Sequence, residues 1–228
     1  MKKTVNFLCI SILAICTFST ANATILINEI DYDQISTDTA EFIELFNTGT
    51  ERVNLDNYRL DLFNGTSSSI QIYNSFDLTG YSLAASSYFV ICGSSSAVAN
   101  CNFDTGKSSN MIQNGASDGI ALYHDNTLID GVTYEGVISG ITEGSAGALA
   151  DQNSDIMSIG RLLNSQDTNS NAADFEHGCI TPGATNIAGS GDCSVVASST
   201  VPLPSIMWLM ASGLIGLVAN TKKRKSAS

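Results

Sequence analysis

The sequence predicts an all-β fold, a sandwich of short strands, and three observations predict it. Charged residues make up only 14% of the 228 residues, against roughly 25% in an average soluble domain, and Ser, Thr, Asn and Gly take their place. Such side chains hydrogen-bond nearby backbone and so favour turns over helix interiors. Apolar and polar residues alternate in short runs, the pattern of strands that lay one face on a core. Turn residues recur about every ten positions, and no segment carries the apolar stripe of an amphipathic helix. The length leaves room for one domain of roughly 100 to 200 residues plus flanking segments.

The strands follow in order. Thr24 to Ile30 alternates, as does Glu41 to Phe46, which ends in the turn Asn47-Thr48-Gly49. Glu41 and Glu44 flank Phe42 and Ile43 and are expected to face outward as the solvated side of that strand. Arg59 to Phe63 precedes the turn pair Asn64-Gly65, and further runs are Ser69 to Tyr73, Tyr88 to Cys92, Gly119 to Tyr123, Leu128 to Tyr134 and Ser158 to Leu162. Tyr123 to Leu128, with Asp125-Asn126 at its centre, reads as a hairpin corner.

Both ends carry address labels. Lys2 and Lys3 form a positive start, Val5 to Thr17 an apolar stretch, and Ala21-Asn22-Ala23 a small-x-small cleavage site, so residues 1–23 read as a secretory signal and the mature chain begins at Thr24. Cys16 follows Ile15, where lipid attachment would want a small side chain. At the other end Val201-Pro202-Leu203-Pro204-Ser205 precedes the apolar run Ile206 to Ala219, which Lys222-Lys223-Arg224-Lys225 then stops. That run reads as a short membrane-spanning helix whose basic cluster stays in the cytoplasm. Residues 24–188 are left as the sandwich domain, with a Ser/Gly-rich linker over 189–200 and the tail over 201–228.

Between the labels, four basic residues (Arg52, Arg59, Lys107, Arg161) stand against all 22 acidic ones, leaving a net charge of −18. Nucleic-acid binding depends on Lys and Arg displacing counterions from phosphates, so such a surface argues against it. Four cysteines remain in the exported part, and an even number there reads as disulfides. Of the possible connectivities the local one, Cys92 with Cys101 and Cys179 with Cys193, closes two short polar loops. Neither pair has the Cys-x-x-Cys spacing of a metal site.

No Gly-x-Ser-x-Gly elbow, His-Glu-x-x-His helix or phosphate-binding glycine loop is present. His124 and His177 read as exposed turn residues. Asp31, Asp33 and Asp38 cluster after the first strand, flanked by Glu29 and Glu41. The stretch from Asp167 to Asp174 begins with oxygen ligands at every second residue, as calcium loops do, so Asp167, Asn169, Asn171 and Asp174 are the candidate Ca²⁺ ligands. It lacks the glycine and the bidentate Glu of an EF-hand, and the alternative is that these residues cap turns. No other cofactor is expected.

The tail, from Val201 to Lys225, resembles the PEP-CTERM sorting signals in their Val-Pro-Leu-Pro variant, and includes the element Gly213-Leu214-Ile215-Gly216-Leu217 usual in that helix. The resemblance implies that an exosortase-type membrane protease recognises the tail and cleaves near the prolines. Between the labels the chain resembles the lamin tail domain. The residues that carry this are Ile27-Asn28-Glu29-Ile30, Glu41 to Asn47, Val53 to Leu60, Gly119-Ile120-Ala121-Leu122, Ser158-Ile159-Gly160-Arg161, Ala173-Asp174-Phe175 and Thr181 to Asn186. The Asn-Pro turn usual after the second strand is here Asn47-Thr48, which touches only loop geometry. The resemblance implies an immunoglobulin-like sandwich acting as a binding or scaffolding module.

Two functions follow as expectations. The first is a non-catalytic, exported protein of the cell surface or matrix, held at the membrane by its tail until processed, whose sandwich binds extracellular polymer or a surface protein. The second is an extracellular metal-dependent hydrolase or nuclease built on the carboxylates, which four basic residues serve poorly.

Overall fold

The computed structural model describes residues 25–65, 69–162, 166–189 and 193. In chain order its elements are β1 (Ile25–Asp31), β2 (Phe42–Asn47), β3 (Val53–Asn54), β4 (Tyr58–Asn64), β5 (Gln71–Asp77), β6 (Ser82–Leu83), β7 (Tyr88–Cys92), β8 (Cys101–Asp104), β9 (Asp118–His124), β10 (Thr127–Tyr134), β11 (Met157–Arg161), the single-turn helix α1 (Asn171–Asp174), β12 (Phe175–Cys179) and β13 (Ile187–Ala188). A seven-stranded sheet runs β13-β12-β11-β1-β2-β7-β8 and a four-stranded sheet runs β10-β9-β4-β5, with β3 and β6 as a separate two-stranded clasp. All the pairs are antiparallel except β7 with β8.

The sheets face each other across one core. Ile25, Ile27, Ile43, Leu45, Ile91 and Ile159 of the large sheet meet Leu60, Leu62, Ile120, Leu122, Val132 and Tyr134 of the small one. This is the all-β sandwich that the alternation predicts, consistent with the immunoglobulin-like arrangement that the lamin tail resemblance implies. The outer faces are covered too: Phe42, Val90, Cys92 and Val98 form a second cluster, and Phe63, Ala121, Ile138 and Ile141 a third. Double coverage explains why β1, fourth of seven strands, is buried at every position.

That coverage corrects the reading of Glu41 and Glu44 as solvated outward charges. Glu44 does face away from the core, yet it is fully buried, and Glu41 is 1% exposed, because later loops lie over the strand. The hairpin corner is where it was expected: Asp125 and Asn126 have φ of 49° and 63° and let Thr127 pair with His124, the left-handed pair that a two-residue type I′ turn requires. Other boundaries moved. β5 runs to Asp77, beyond the expected Tyr73, and β6, β8, β12 and β13 form from stretches with no clear alternation. Their pairing is set by the strand alongside, as in β12, whose Phe-Glu-His-Gly-Cys registers fully on β11.

The secretory signal, with Ala21 and Ala23, and the tail, with Val201, Pro202, Leu203, Pro204, Lys222, Lys223, Arg224 and Lys225, lie outside the described residues. Among the described residues no helix is long and apolar enough to cross a membrane.

Candidate functional site

Three polar assemblies carry the chemistry of the domain. The first is centred on Arg161, the last residue of β11, whose side chain is fully buried. Its Nη1 donates to Asp174 Oδ2 at 2.9 Å, its Nη2 to Asp130 Oδ1 at 3.2 Å and its Nε to the carbonyl of Ile27 at 3.0 Å, while the guanidinium lies 4.7 Å over the ring of Phe175. Asp130 sits beside an irregularity in β10, and its Oδ2 accepts the amide of Ile27, beside a matching irregularity in β1. A bulge re-aims a side chain and frees an amide; here the two bulges supply acceptor and donor, so Asp130 and Arg161 tie the two sheets together. Glu143 and Asp167 stand farther off, at 3.8 and 3.7 Å from the guanidinium.

This assembly places the candidate calcium ligands. Asp167 and Asp174 come together with Glu143 as a group that could share one ion. Asn169 does not join them by its side chain: its backbone amide donates to Asp167 Oδ1 at 3.0 Å, an Asx turn. Asn171 is fully buried, with Oδ1 accepting the amides of Thr133 and Glu143 and Nδ2 donating to the carbonyl of Gly131. Asp174 accepts from the Thr168 hydroxyl and amide as well as from Arg161. Burial alone would raise its pKa, but the Thr168 bonds and the Arg161 charge hold it below the usual carboxylate range. Glu143, which sequence reasoning missed for lack of any spacing to the others, is pushed up to about 7 by burial and by Asp130 and Asp167.

The second assembly lies on the outer face of the large sheet, under the chain from Thr181 to Asn186. Glu29 accepts from the Ser158 hydroxyl at 2.6 Å and from the amide and hydroxyl of Thr181, both at 2.8 Å. Glu44 accepts from Asn28 Nδ2 at 2.8 Å and from the Gly183 amide at 2.6 Å. Gly183 adopts φ of 81°, a left-handed conformation that suits glycine. Asn186 Nδ2 donates to the carbonyls of Asn28 and Arg161, crossing β11 at Gly160, where an added Cβ would stand 2.7 Å from that nitrogen. Among the described residues no cation pairs with these two acids. Burial raises Glu29 to about 7, and burial together with the Glu29 charge raises Glu44 to about 8.

The third is a pocket of about 430 Å³ at one end of the small sheet, lined by Asn64 from the end of β4, Asp118 from the start of β9, and Asn110 and residues 112–115 of the loop between β8 and β9. Glu41 pins this loop by accepting the amides of Met111 at 2.5 Å and Ile112 at 3.0 Å. Tyr73 accepts the amide of Gln113, and the Tyr134 hydroxyl donates to its carbonyl. The acids after β1 that cluster in the sequence reach the same loop: Asn114 Nδ2 donates to Asp38 at 3.1 Å and to Asp33 at 3.4 Å, and Gln34 Nε2 holds Asp31. Burial, partly offset by the Gly65 amide, raises Asp118 to about 6.

Cys92 and Cys101 are joined in a disulfide, which seals β7 to β8, and Cys179 and Cys193 are each disulfide-bonded. The histidines are not turn residues. His124 ends β9 and stacks on Tyr58 at 4.3 Å, and His177 lies within β12, its Nε2 2.8 Å from the carbonyl of Ala150. Neither stands beside a serine or cysteine nucleophile among the described contacts.

The family model of the lamin tail domain matches residues 19–136, more than half of the chain and the stretch from before β1 to just past β10. No curated protein matches it. The family is a non-catalytic, immunoglobulin-like domain type, in keeping with carboxylates that hold sheets and loops together. This chain belongs to the lamin tail domain family.

Proposed function

We propose that this protein is an exported, non-catalytic binding and scaffolding module of the cell surface or matrix, delivered by its secretory signal and processed at its tail by an exosortase-type protease. The observation that carries the reading is a lamin tail domain closed by disulfides. Disulfides form and persist in oxidising compartments outside the cytoplasm. The acidic surface with four basic residues in the exported part suits extracellular polymer or a surface protein as partner better than a nucleic acid. The hydrolase reading has no comparable support: the acids gathered at Arg161 are bound to guanidinium, hydroxyl and backbone donors rather than to a substrate cleft.

Fractionation tests this proposal. The precursor is expected in the membrane and a shorter form at the surface or in the medium. Replacing Pro202 and Pro204 with alanine should block the shortening and leave the precursor in the membrane, whereas replacing Lys222 to Lys225 with serine should weaken retention. Non-reducing peptide mapping of the exported form should return Cys92 linked to Cys101 and Cys179 linked to Cys193. A cytoplasmic protein with free thiols, or identical processing in all variants, would refute the proposal.

A further inference from the structure

Two buried acids are short of donors among the described residues, Asp31, whose Oδ2 has no partner there, and Asp118, and of the two only Asp118 lines the pocket. It is 3% exposed, yet the one hydrogen bond it receives from the described residues is a long one, 3.4 Å from the Gly65 amide. Glu29, Glu41, Glu44, Asp130 and Asp174 each accept two or more shorter bonds. A buried carboxylate normally takes its full set of donors, and this one lines the pocket, where a ligand can supply the rest.

The neighbouring amides are spare in the same way. Gln113 spends its Oε1 on Asn64 and its backbone on the two tyrosines, which leaves Nε2 as an unused donor. Asn114 spends its Nδ2 on Asp33 and Asp38, which leaves Oδ1 as an unused acceptor. Asn110 is held by its backbone amide on the Asp38 carbonyl, and both ends of its side chain remain available. The loop that presents these groups is fixed from behind by Glu41, Tyr73 and Tyr134, so the ordering cost of a preorganised site is already met within the fold.

We propose that this pocket binds an uncharged, hydroxyl-rich ligand, a unit of a neutral polysaccharide, with Asp118 accepting from sugar hydroxyls and Asn110, Gln113 and Asn114 exchanging hydrogen bonds with the same or adjacent hydroxyls. A hydroxyl both donates and accepts, which is what a mixed set of amides and one carboxylate matches. A lone cation would use the acceptors and leave the amide donors unmatched. An anionic polymer would have to approach a domain of net charge −18. The volume lies in the lower part of the roughly 300 to 1,000 Å³ range of small-molecule sites, enough for a short piece of a chain that continues into solvent. This assignment rests on the reading of the domain as a non-catalytic binding module and names its ligand class.

The test uses the exported protein as isolated, titrated by calorimetry with the neutral oligosaccharides cellohexaose, maltohexaose and mannohexaose and with anionic hexagalacturonate. Saturable binding of at least one neutral oligosaccharide is expected, weakened at least tenfold in both Asp118→Asn and Asn114→Ala, with hexagalacturonate unbound. Asp118→Asn keeps an oxygen for Gly65, and an unchanged thermal unfolding profile in each variant separates loss of binding from loss of fold. Neutral oligosaccharide bound equally by wild type and both variants overturns the pocket and leaves the module reading standing. Shortened products in the cell would overturn the non-catalytic reading itself. Binding of none of the neutral sugars, or of calcium alone at Asp118, overturns the proposal.

Discussion

The Arg161 assembly and the Glu29–Glu44 layer both bury acids beside β1, and they hold them in opposite ways. At Arg161 the Thr168 donors and the guanidinium hold Asp174 below the usual carboxylate range, while burial raises Asp130 and Glu143 in spite of the same guanidinium. On the outer face Glu29 and Glu44 have hydroxyl, amide and backbone donors but no cation partner among the described residues, and both rise toward neutral pH. Burial costs an ion its hydration in either place. Donors and a partner charge repay that cost for Asp174, and proton uptake avoids it for the outer pair. For Glu29 and Glu44 hydrogen bonds alone do not offset burial, to which the Glu29 charge adds at Glu44.

The largest expected effect breaks the first arrangement. Arg161→Met removes the cation and leaves Asp130 and Asp174 buried without it, which costs about 3–5 kcal/mol. Urea unfolding should show the drop, and a loss under 1 kcal/mol would mean that the acids there are protonated like the outer pair. Adding Asp130→Asn to Arg161→Met should recover part of the loss, since one of the stranded charges is then gone.

Acidity separates the two arrangements by sign. Glu29 and Glu44 have folded pKa values of about 7 and about 8, above their ordinary value of 4.5. Between those limits the folded chain holds protons that the unfolded chain has released, so stability is greatest near pH 5 and falls as pH rises through 7 to 8. The slope near pH 7 should be on the order of 1 kcal/mol per pH unit. Glu44→Gln should lessen it by one group's share, since Glu29 and Glu143 still titrate in that window, and a flat profile in wild type between pH 5 and 8 would count against protonated glutamates. Asp174 has the opposite sign: its lowered pKa contributes stability that is present above the unfolded value and is lost as pH falls below about 4. Asp174→Asn should therefore remove part of the acid limb and leave the neutral slope alone.

The smallest effect is calcium at Glu143, Asp167 and Asp174. Arg161 already neutralises part of that group, so an ion there gains little. With calcium at its dissociation constant the stabilisation is about 0.4 kcal/mol, a shift of roughly 1–2 °C in thermal unfolding. The shift should vanish in Asp167→Ala; one that persists there, or none in wild type, would return these residues to turn capping and charge pairing.

Much of the fold was legible because alternation and turn chemistry are local. The strands carrying Ile27, Ile43, Leu60, Leu122 and Val132 and the Asp125-Asn126 corner stand where the pattern puts them. β8, β12 and β13 were not legible, since a short polar strand is made by the edge it joins. The candidate sites divide in the same way. The oxygen spacing from Asp167 to Asp174 marked a polar loop and so led to the Arg161 region, but it could not show that Asn171 would turn to backbone amides or that Glu143 would arrive from another loop. Asp118 carried no signal at all, because its place in a pocket wall beside Asn64 and the loop before β9 is decided by residues far off in the chain.

By itself the sequence determined the class of fold, the acidic charge, the cysteines that form disulfides and the motifs of the lamin tail family, all of which are properties of residue type and near-neighbour order. The tertiary structure decided which carboxylates are buried, which of them meet a cation, and which is left short of donors at a pocket. Those outcomes depend on segments separated by as many as 152 residues, as between Glu29 and Thr181, and on burial, which turns an ordinary surface acid into a strut, a proton holder or a binding group only when later chain folds over it.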